Sequence, residues 1–350
     1  LARGFWVLLL GRAVTGLGVG VSFVVTPVYI AEITPARLRG ALGAVFDVSI
    51  NVGIVLGYVV GFAVETNVKR ASVADQERSL AYHAEKKALA EKFVGVTSDG
   101  NVEEGLYSIQ STGVSTKAVK KAADAFLKRL TDDQRKKTKF PVNDNEWRRW
   151  ANQHSLPRQG VSFEEMSEEQ RNHGFAMIGA GLSAKGLKTT QDIMKLNHTI
   201  AELSGREGEY GYGRWAYFIT MMGEPSDTEP WGFQFDGHHC IINYFVLREQ
   251  VVMTPLFLGS EPVWADEGKH KGTIVLQEEQ DLALKFANNL TDAQKAKAVL
   301  KSEKDGTNSN SEAFHDNVVI PYEGLPVSEL EAEQKKVFLK LTGLWIHNLK

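Results

Sequence analysis

A single cysteine, Cys240, in a chain of 350 residues excludes an intrachain disulfide and any zinc site built from several thiolates, and it leaves the redox compartment unread. A buried, inert thiol is the expectation. Basic charge is not in excess: 40 Lys and Arg stand against 43 Asp and Glu, for a net charge of −3. Nucleic-acid binding, which needs a concentrated basic surface, is therefore not expected. HExxH, GxSxG, Walker A and dinucleotide glycine motifs are all absent. Established catalytic machinery is thus missing from the sequence, and no cofactor is assignable from a motif. Long apolar runs are missing as well from everything after residue 64.

Before residue 64 the opposite holds. Leu1 to Ala31 and Ala41 to Val64 are long apolar stretches, each spanning the roughly 20 residues that cross a bilayer core. Gly11, Gly16, Gly18 and Gly20 strip side chains from helix faces, which allows close helix contact in lipid. Arg12 lies in the first stretch, where a charge is costly without a partner. Pro35 ends the first helix, and Arg37 and Arg39 hold the turn at headgroup level. A lipid bilayer is the expected partner, and the mean hydropathy of −0.22 averages over two unlike parts. The first stretch has no basic leader and no initiator Met, so the chain is expected to be a piece of something longer.

The run GRAVTGLGVGVSFVVTPVYIAEITPARLRGALGAVFDVSINVGIVLGYV closely resembles the fourth and fifth transmembrane helices of sugar and polyol porters of the major facilitator superfamily. The resemblance rests on Gly11-Arg12, the glycine series, Pro27-Val-Tyr29, Glu32 and the Pro35 to Gly40 loop. It implies that Glu32 and Arg39 belong to a cytoplasmic charge network that changes partners during transport, and that Arg12 pairs with a carboxylate on another helix. Asp47 falls where sugar porters carry a substrate-contacting Gln and polyol porters a Glu. A wet carboxylate at a helix end is the alternative for Asp47. Two helices of twelve leave no second wall for a substrate, so a sugar or polyol is a partner only with the missing helices. Family topology puts the loop 32–40 in the cytoplasm and residues after 65 on the extracytoplasmic side, while loop charges alone give no preference.

Residues 66–118 read as a helical and flexible connector, with a surface helix from Val73 to Val94. Three later helix starts share one chemistry: Thr131-Asp-Asp-Gln134, Ser167-Glu-Glu-Gln170 and Thr291-Asp-Ala-Gln294 are capping boxes. Between Arg214 and Leu258, aromatic and β-branched runs broken by turn residues predict a sheet. Asp236-Gly237 is the expected hairpin turn, pairing Phe235 with His238, Gln234 with His239 and Phe233 with Cys240. Alternation then directs Trp231, Phe233, Phe235, His238, Cys240 and Ile242 to one face, and Gln234, His239, Ile241 and Asn243 to the other, with the two histidines pointing apart. His238 is expected in the core. His239, Gln234 and Asn243 are the candidate catalytic residues and His239 is the candidate metal ligand, with a structural histidine as the alternative for His239. Trp147-Arg148-Arg149-Trp150 and Arg158 could cradle an anion or form a surface helix face. Asn197-His-Thr199 and Asn289-Leu-Thr291 are glycosylation acceptors if the domain faces a lumen.

From about Lys120 onward, WRRWANQHSLPRQGVSFEEMSEEQR, the block from Trp231-Gly232 to Asn243-Tyr244 and TPLFLGSEPV resemble the uncharacterised family catalogued as domain of unknown function 3500. The resemblance brings no activity with it. It implies that the domain is C-terminally incomplete, and that a divalent metal belongs, if anywhere, to a complete domain with a second histidine cluster. The expected fold is mixed: two transmembrane α-helices in residues 1–65, then an α+β domain with an antiparallel sheet in 119–350. The expected function is a membrane-associated fragment of a sugar or polyol transporter fused to a domain of unknown activity, as a genuine or a mis-joined product. The alternative is a metal-assisted hydrolase or a small-ligand binding module for which the membrane segment is an anchor or an artefact.

Overall fold

The computed structural model describes residues 84–106, 110–111, 113–303 and 315–350. The chain divides into two compact units, 1–75 and 76–350. Both expected membrane helices, and with them Arg12, Glu32, Arg39 and Asp47, lie outside the described residues. Among the described residues no helix is long and apolar enough to cross a membrane.

The second unit is an α+β fold. Its described chain begins helical at 84–90, and the helix stops there, short of the expected Val94. The Asn317 side chain takes the backbone N–H groups of Val94 and Gly95, which would otherwise continue the helix. Helices α1 (Lys117–Arg129), α2 (Asp132–Thr138), α3 (Glu168–Gly181) and α4 (Ala184–Ser204) precede most of the sheet. Strands β1 (Lys139–Phe140) and β2 (Val161–Ser162) are two residues each, and β3 (Tyr217–Met222), β4 (Trp231–Gly237), β5 (Cys240–Leu247), β6 (Gln250–Val252) and β7 (Leu256–Leu258) follow. Helices α5 (Gln277–Asn288), α6 (Asp292–Ala298) and α7 (Ala332–Ile346) complete the described elements.

The sheet runs β1-β3-β4-β5-β6, with β2 on β3 and β7 on β5. It is mixed, because β1 pairs parallel to β3; the other pairs are antiparallel. The wholly antiparallel expectation missed β1, whose two residues are too few to show a period in sequence. The hairpin turn also differs from expectation. Gly237 pairs with Cys240 and Gln234 with Asn243, so His238-His239 forms the turn, two residues beyond Asp236-Gly237. An even slip conserves side-chain parity. The division of Trp231, Phe233, Phe235, Cys240 and Ile242 from Gln234, Ile241 and Asn243 survives, while the two histidines leave the ladder and do not point apart. Their rings stack at 4.0 Å.

The core forms where the aromatic face of β3–β5 meets α1, α3 and α4. Phe126, Phe163, Met177, Tyr217, Trp231, Phe233 and Phe235 are fully buried there. Cys240 is buried too, and its burial pushes the thiol up to about 12, as expected of an inert core cysteine.

All three expected capping boxes form, and two more occur at Ser162 with Glu165 and Glu331 with Gln334. Their partners reveal an internal duplication. Gln134 and Gln170 exchange amide hydrogen bonds while also reaching the carbonyls of Glu165 and Arg129. Gln294 and Gln334 do the same, with the carbonyls of Glu329 and Asn289. Lys137 pairs with Glu165, and Lys297 pairs with Glu329. The unit α1–α2–α3 is thus repeated as α5–α6–α7. In the first copy Leu182 is buried in the core, whereas the equivalent Ile346 is exposed.

Candidate functional site

The β4–β5 turn is held from several directions. His239 adopts φ 58, its N–H donates to the Asn152 carbonyl at 2.9 Å, and its own carbonyl accepts from Gly259 N–H at 2.8 Å. The Tyr217 hydroxyl donates to the His238 carbonyl at 2.8 Å. A Cβ on Gly237 would lie 2.1 Å from the Tyr217 ring, so only glycine lets that ring reach across the strand.

His238 is buried, as expected, and its Nδ1 lies 2.7 Å from Asn197 Oδ1. The Asn197 amide donates to the carbonyls of Gly211 and Gly213, which assigns Oδ1 as acceptor and places the His238 proton on Nδ1. The Nε2 lone pair is then the acceptor of the ring. Burial drives the His238 pKa down to about 2, with His239, His154 and Arg158 adding to the effect. His239 is lowered as well, by burial, against the opposing pull of Glu261, whose carboxylate lies 3.7 Å from Nε2. Both imidazoles are neutral at pH 7. His154 joins them with its ring 5.4 Å from that of His238 and 4.6 Å from that of Tyr212.

Beneath this cluster Arg158, 1% exposed, meets Asp236 at 3.0 Å. Its other donors reach the carbonyls of Ala151, Gln153, His154 and Leu156, which fixes the loop that presents His154. Burial raises the Asp236 carboxyl to about 6 even against Arg158, so it remains ionised and paired at neutral pH. Arg148 pairs with Asp316, and Arg149 pairs with Glu85 and Glu146. The expected surface helix face is therefore corrected: these arginines are spent on fixed partners, Trp150 is buried, and the local helix is a short 3-10 turn, Asn145–Arg148.

Gln234 and Asn243 are brought together at 2.8 Å. His239 is not beside them; it stands at the tip of the hairpin, about 13 Å along the strand from Asn243. Asn243 instead lines a cleft of about 780 Å³ with Phe93, Trp147, Trp150, Phe245 and Pro255. Glu146 lies next to the cleft-lining Trp147, accepts from Gln159 at 2.8 Å and is raised to about 7 by burial. Sequence reasoning missed His154, Tyr212 and Glu261. It took Asn197 for a glycosylation acceptor, but that residue is buried and fully bonded. Among the described residues the donors that could jointly hold an ion are His198, Glu202 and Glu207; this set does not contain His239.

The domain so defined is an α+β module with a mixed sheet and a histidine-capped hairpin. Residues 112–350 match the family described as Protein of unknown function (DUF3500), and the chain belongs to that family. Residues 1–79 match the family described as Sugar (and other) transporter. The segment is 45% identical over 62 residues to the probable polyol transporter 4 of Arabidopsis thaliana, covering 18% of this chain and 12% of that protein. It is 47% identical over 64 residues to the facilitated glucose transporter member 8 of solute carrier family 2 of Mus musculus, covering 18% and 13%. Polyol transporter 5 of Arabidopsis thaliana is 44% identical over 63 residues, with 18% and 12% covered. The chain thus spans about one eighth of the length of these curated relatives. No solved structure matches.

Proposed function

We propose that this protein is a membrane-associated polypeptide whose N-terminal segment supplies two porter-type helices, equivalent to the fourth and fifth of a sugar or polyol transporter. The observation that carries this reading is the likeness of residues 1–79 to such transporters, together with two apolar stretches of spanning length. Transport of a sugar or polyol belongs to the complete set of helices, where Arg12, Glu32 and Arg39 form the charge network and Asp47 meets the substrate. A connector at 66–118 joins this segment to the soluble domain at 119–350. The loop 32–40 is cytoplasmic and the domain extracytoplasmic.

The soluble domain acts as a small-ligand binding module. The cleft beside Asn243 supports this: it has the size of a ligand pocket and combines indole and phenyl faces with the amides of Asn143, Asn145 and Asn243. Its cation, Arg148, is neutralised by Asp316, and Asp144 adds one further carboxylate to the lining, so the chemistry suits a ligand rich in hydroxyl groups and free of negative charge. The His239 imidazole serves the same domain as a neutral proton acceptor at the hairpin tip. A thermal-shift panel of monosaccharides and linear polyols tests the reading. A binder at 100 times its Kd stabilises the wild-type domain by about 2.7 kcal/mol. Loss of that shift in Asn243→Ala supports the cleft; a panel with no shift at millimolar concentrations sinks it.

A further inference from the structure

A second histidine pair joins His198, on α4, to His270, in the loop between β7 and α5. His198 stands between two carboxylates: Nδ1 is 3.6 Å from Glu202 Oε1, and Nε2 is 3.8 Å from Glu207 Oε1. These gaps exceed a hydrogen bond. The two contacts are made by opposite nitrogens of one ring, so a single ion can take only one of them. One donor atom from each of the three residues lies within 4.8 Å of the others. His270 stands edge-on to His198 with ring centroids 5.1 Å apart. Two ring nitrogens here, His198 Nδ1 and His270 Nε2, are buried without a hydrogen-bond partner.

Buried imidazole nitrogens are ordinarily satisfied, so the orphan Nδ1 of His198, a member of the donor set, calls for a ligand. The local fold also holds the carboxylates. Helix α4 ends at Gly205 in the left-handed conformation, which turns the chain so that Glu207 returns beside His198, nine residues back. Gly268 has φ 74, and a Cβ there would meet Glu202 Oε2 at 2.4 Å, while the Lys269 N–H donates to the same carboxylate at 3.2 Å. That bond orients Glu202 in the way outer-shell donors orient metal-bound carboxylates.

We propose that His198, Glu202 and Glu207 form a site for a divalent transition ion of the zinc class, with water completing the coordination. An imidazole with two carboxylates suits zinc or cobalt better than calcium and magnesium, which take oxygen ligands only. The site is separate from the histidine turn and stands without it.

The test uses the full chain in detergent, stripped with chelator and titrated with Co²⁺ and then Zn²⁺. Expected are a visible cobalt spectrum of tetrahedral intensity, one equivalent displaced by Zn²⁺, and no competition from millimolar Ca²⁺ or Mg²⁺. Glu207 is mostly exposed, so Glu207→Gln keeps the fold and should weaken cobalt binding at least tenfold. His198→Gln should remove the spectrum, while His239→Ala should keep it. Absence of cobalt binding in the wild-type chain would overturn the proposal. So would a spectrum that survives both Glu207→Gln and His198→Gln, or one that is lost only with His239.

Discussion

Replacing Arg158 with methionine should be among the most damaging single changes in the α+β domain. The guanidinium is 1% exposed and pairs with Asp236, itself 6% exposed. Breaking a buried pair by removing one partner costs about 3–5 kcal/mol, because the remaining charge is left without compensation. Four loop carbonyls lose a donor at the same time. Taking about 4 kcal/mol as the loss, a domain of this size should melt roughly 8–16 °C lower. Urea denaturation followed by tryptophan fluorescence, on the full chain in detergent, measures the loss directly. If the isolated carboxylate carries much of the cost, Arg158→Met combined with Asp236→Asn should recover about 2 kcal/mol relative to Arg158→Met alone. A loss below about 1 kcal/mol for Arg158→Met, or a double variant weaker than the single, would refute this account of the loop.

Glu146 has its pKa raised to about 7 by burial, against the attraction of Arg149. Its folded pKa exceeds its unfolded value, so the charged form opposes folding by up to about 3 kcal/mol above pH 7, and that cost vanishes as pH falls toward 4.5. Glu146→Gln should therefore be more stable than wild type at pH 8 and equal to it near pH 4.5; equal melting at pH 8 would count against the shift. His238 works in the opposite sense: its depressed pKa gives stability present above about pH 6.5 and lost progressively as pH falls, so His238→Asn should flatten the acid limb of the melting profile. Gly237→Ala places a Cβ 2.1 Å from the Tyr217 ring and should cost about 3 kcal/mol, whereas Gly205→Ala, with φ 64 and open space, should cost about 1 kcal/mol in chemical denaturation. If the domain is routed to a secretory lumen, Asn289 is exposed and Asn197 is buried. Asn289→Gln should then abolish any glycan shift on a gel and Asn197→Gln should not remove one; a glycan at Asn197 would contradict the fold around His238.

The parts of the fold that were legible in sequence are those with local causes. Capping boxes announce themselves because the hydroxyl and the Gln stand three residues apart in one turn, and all three formed. The fourth helix-start box of that pattern, at Glu331, carries a carboxylate where serine or threonine is usual, and this hid the duplication. Strand parity was readable from the aromatic alternation. Turn position was not: Asp236-Gly237 is the stronger hairpin signal in isolation, yet Asp236 is drawn into the ladder by buried Arg158, seventy-eight residues away in sequence, and Gly237 by the Tyr217 ring. His154, Tyr212 and Glu261 reach the hairpin tip, and Lys269 reaches Glu202, through loops without period, so no spacing could have announced them.

The proposed function requires that the N-terminal segment embed this protein in a bilayer while the α+β domain stays outside it. Alkaline carbonate extraction of membranes from cells expressing the full chain, with a parallel chain in which Val24, Val25, Ile50 and Ile54 are changed to Asp, addresses it directly. The account predicts that the full chain stays in the membrane pellet and that the charged variant moves to the supernatant. A full chain released by carbonate, or a charged variant retained as well as wild type, would contradict it.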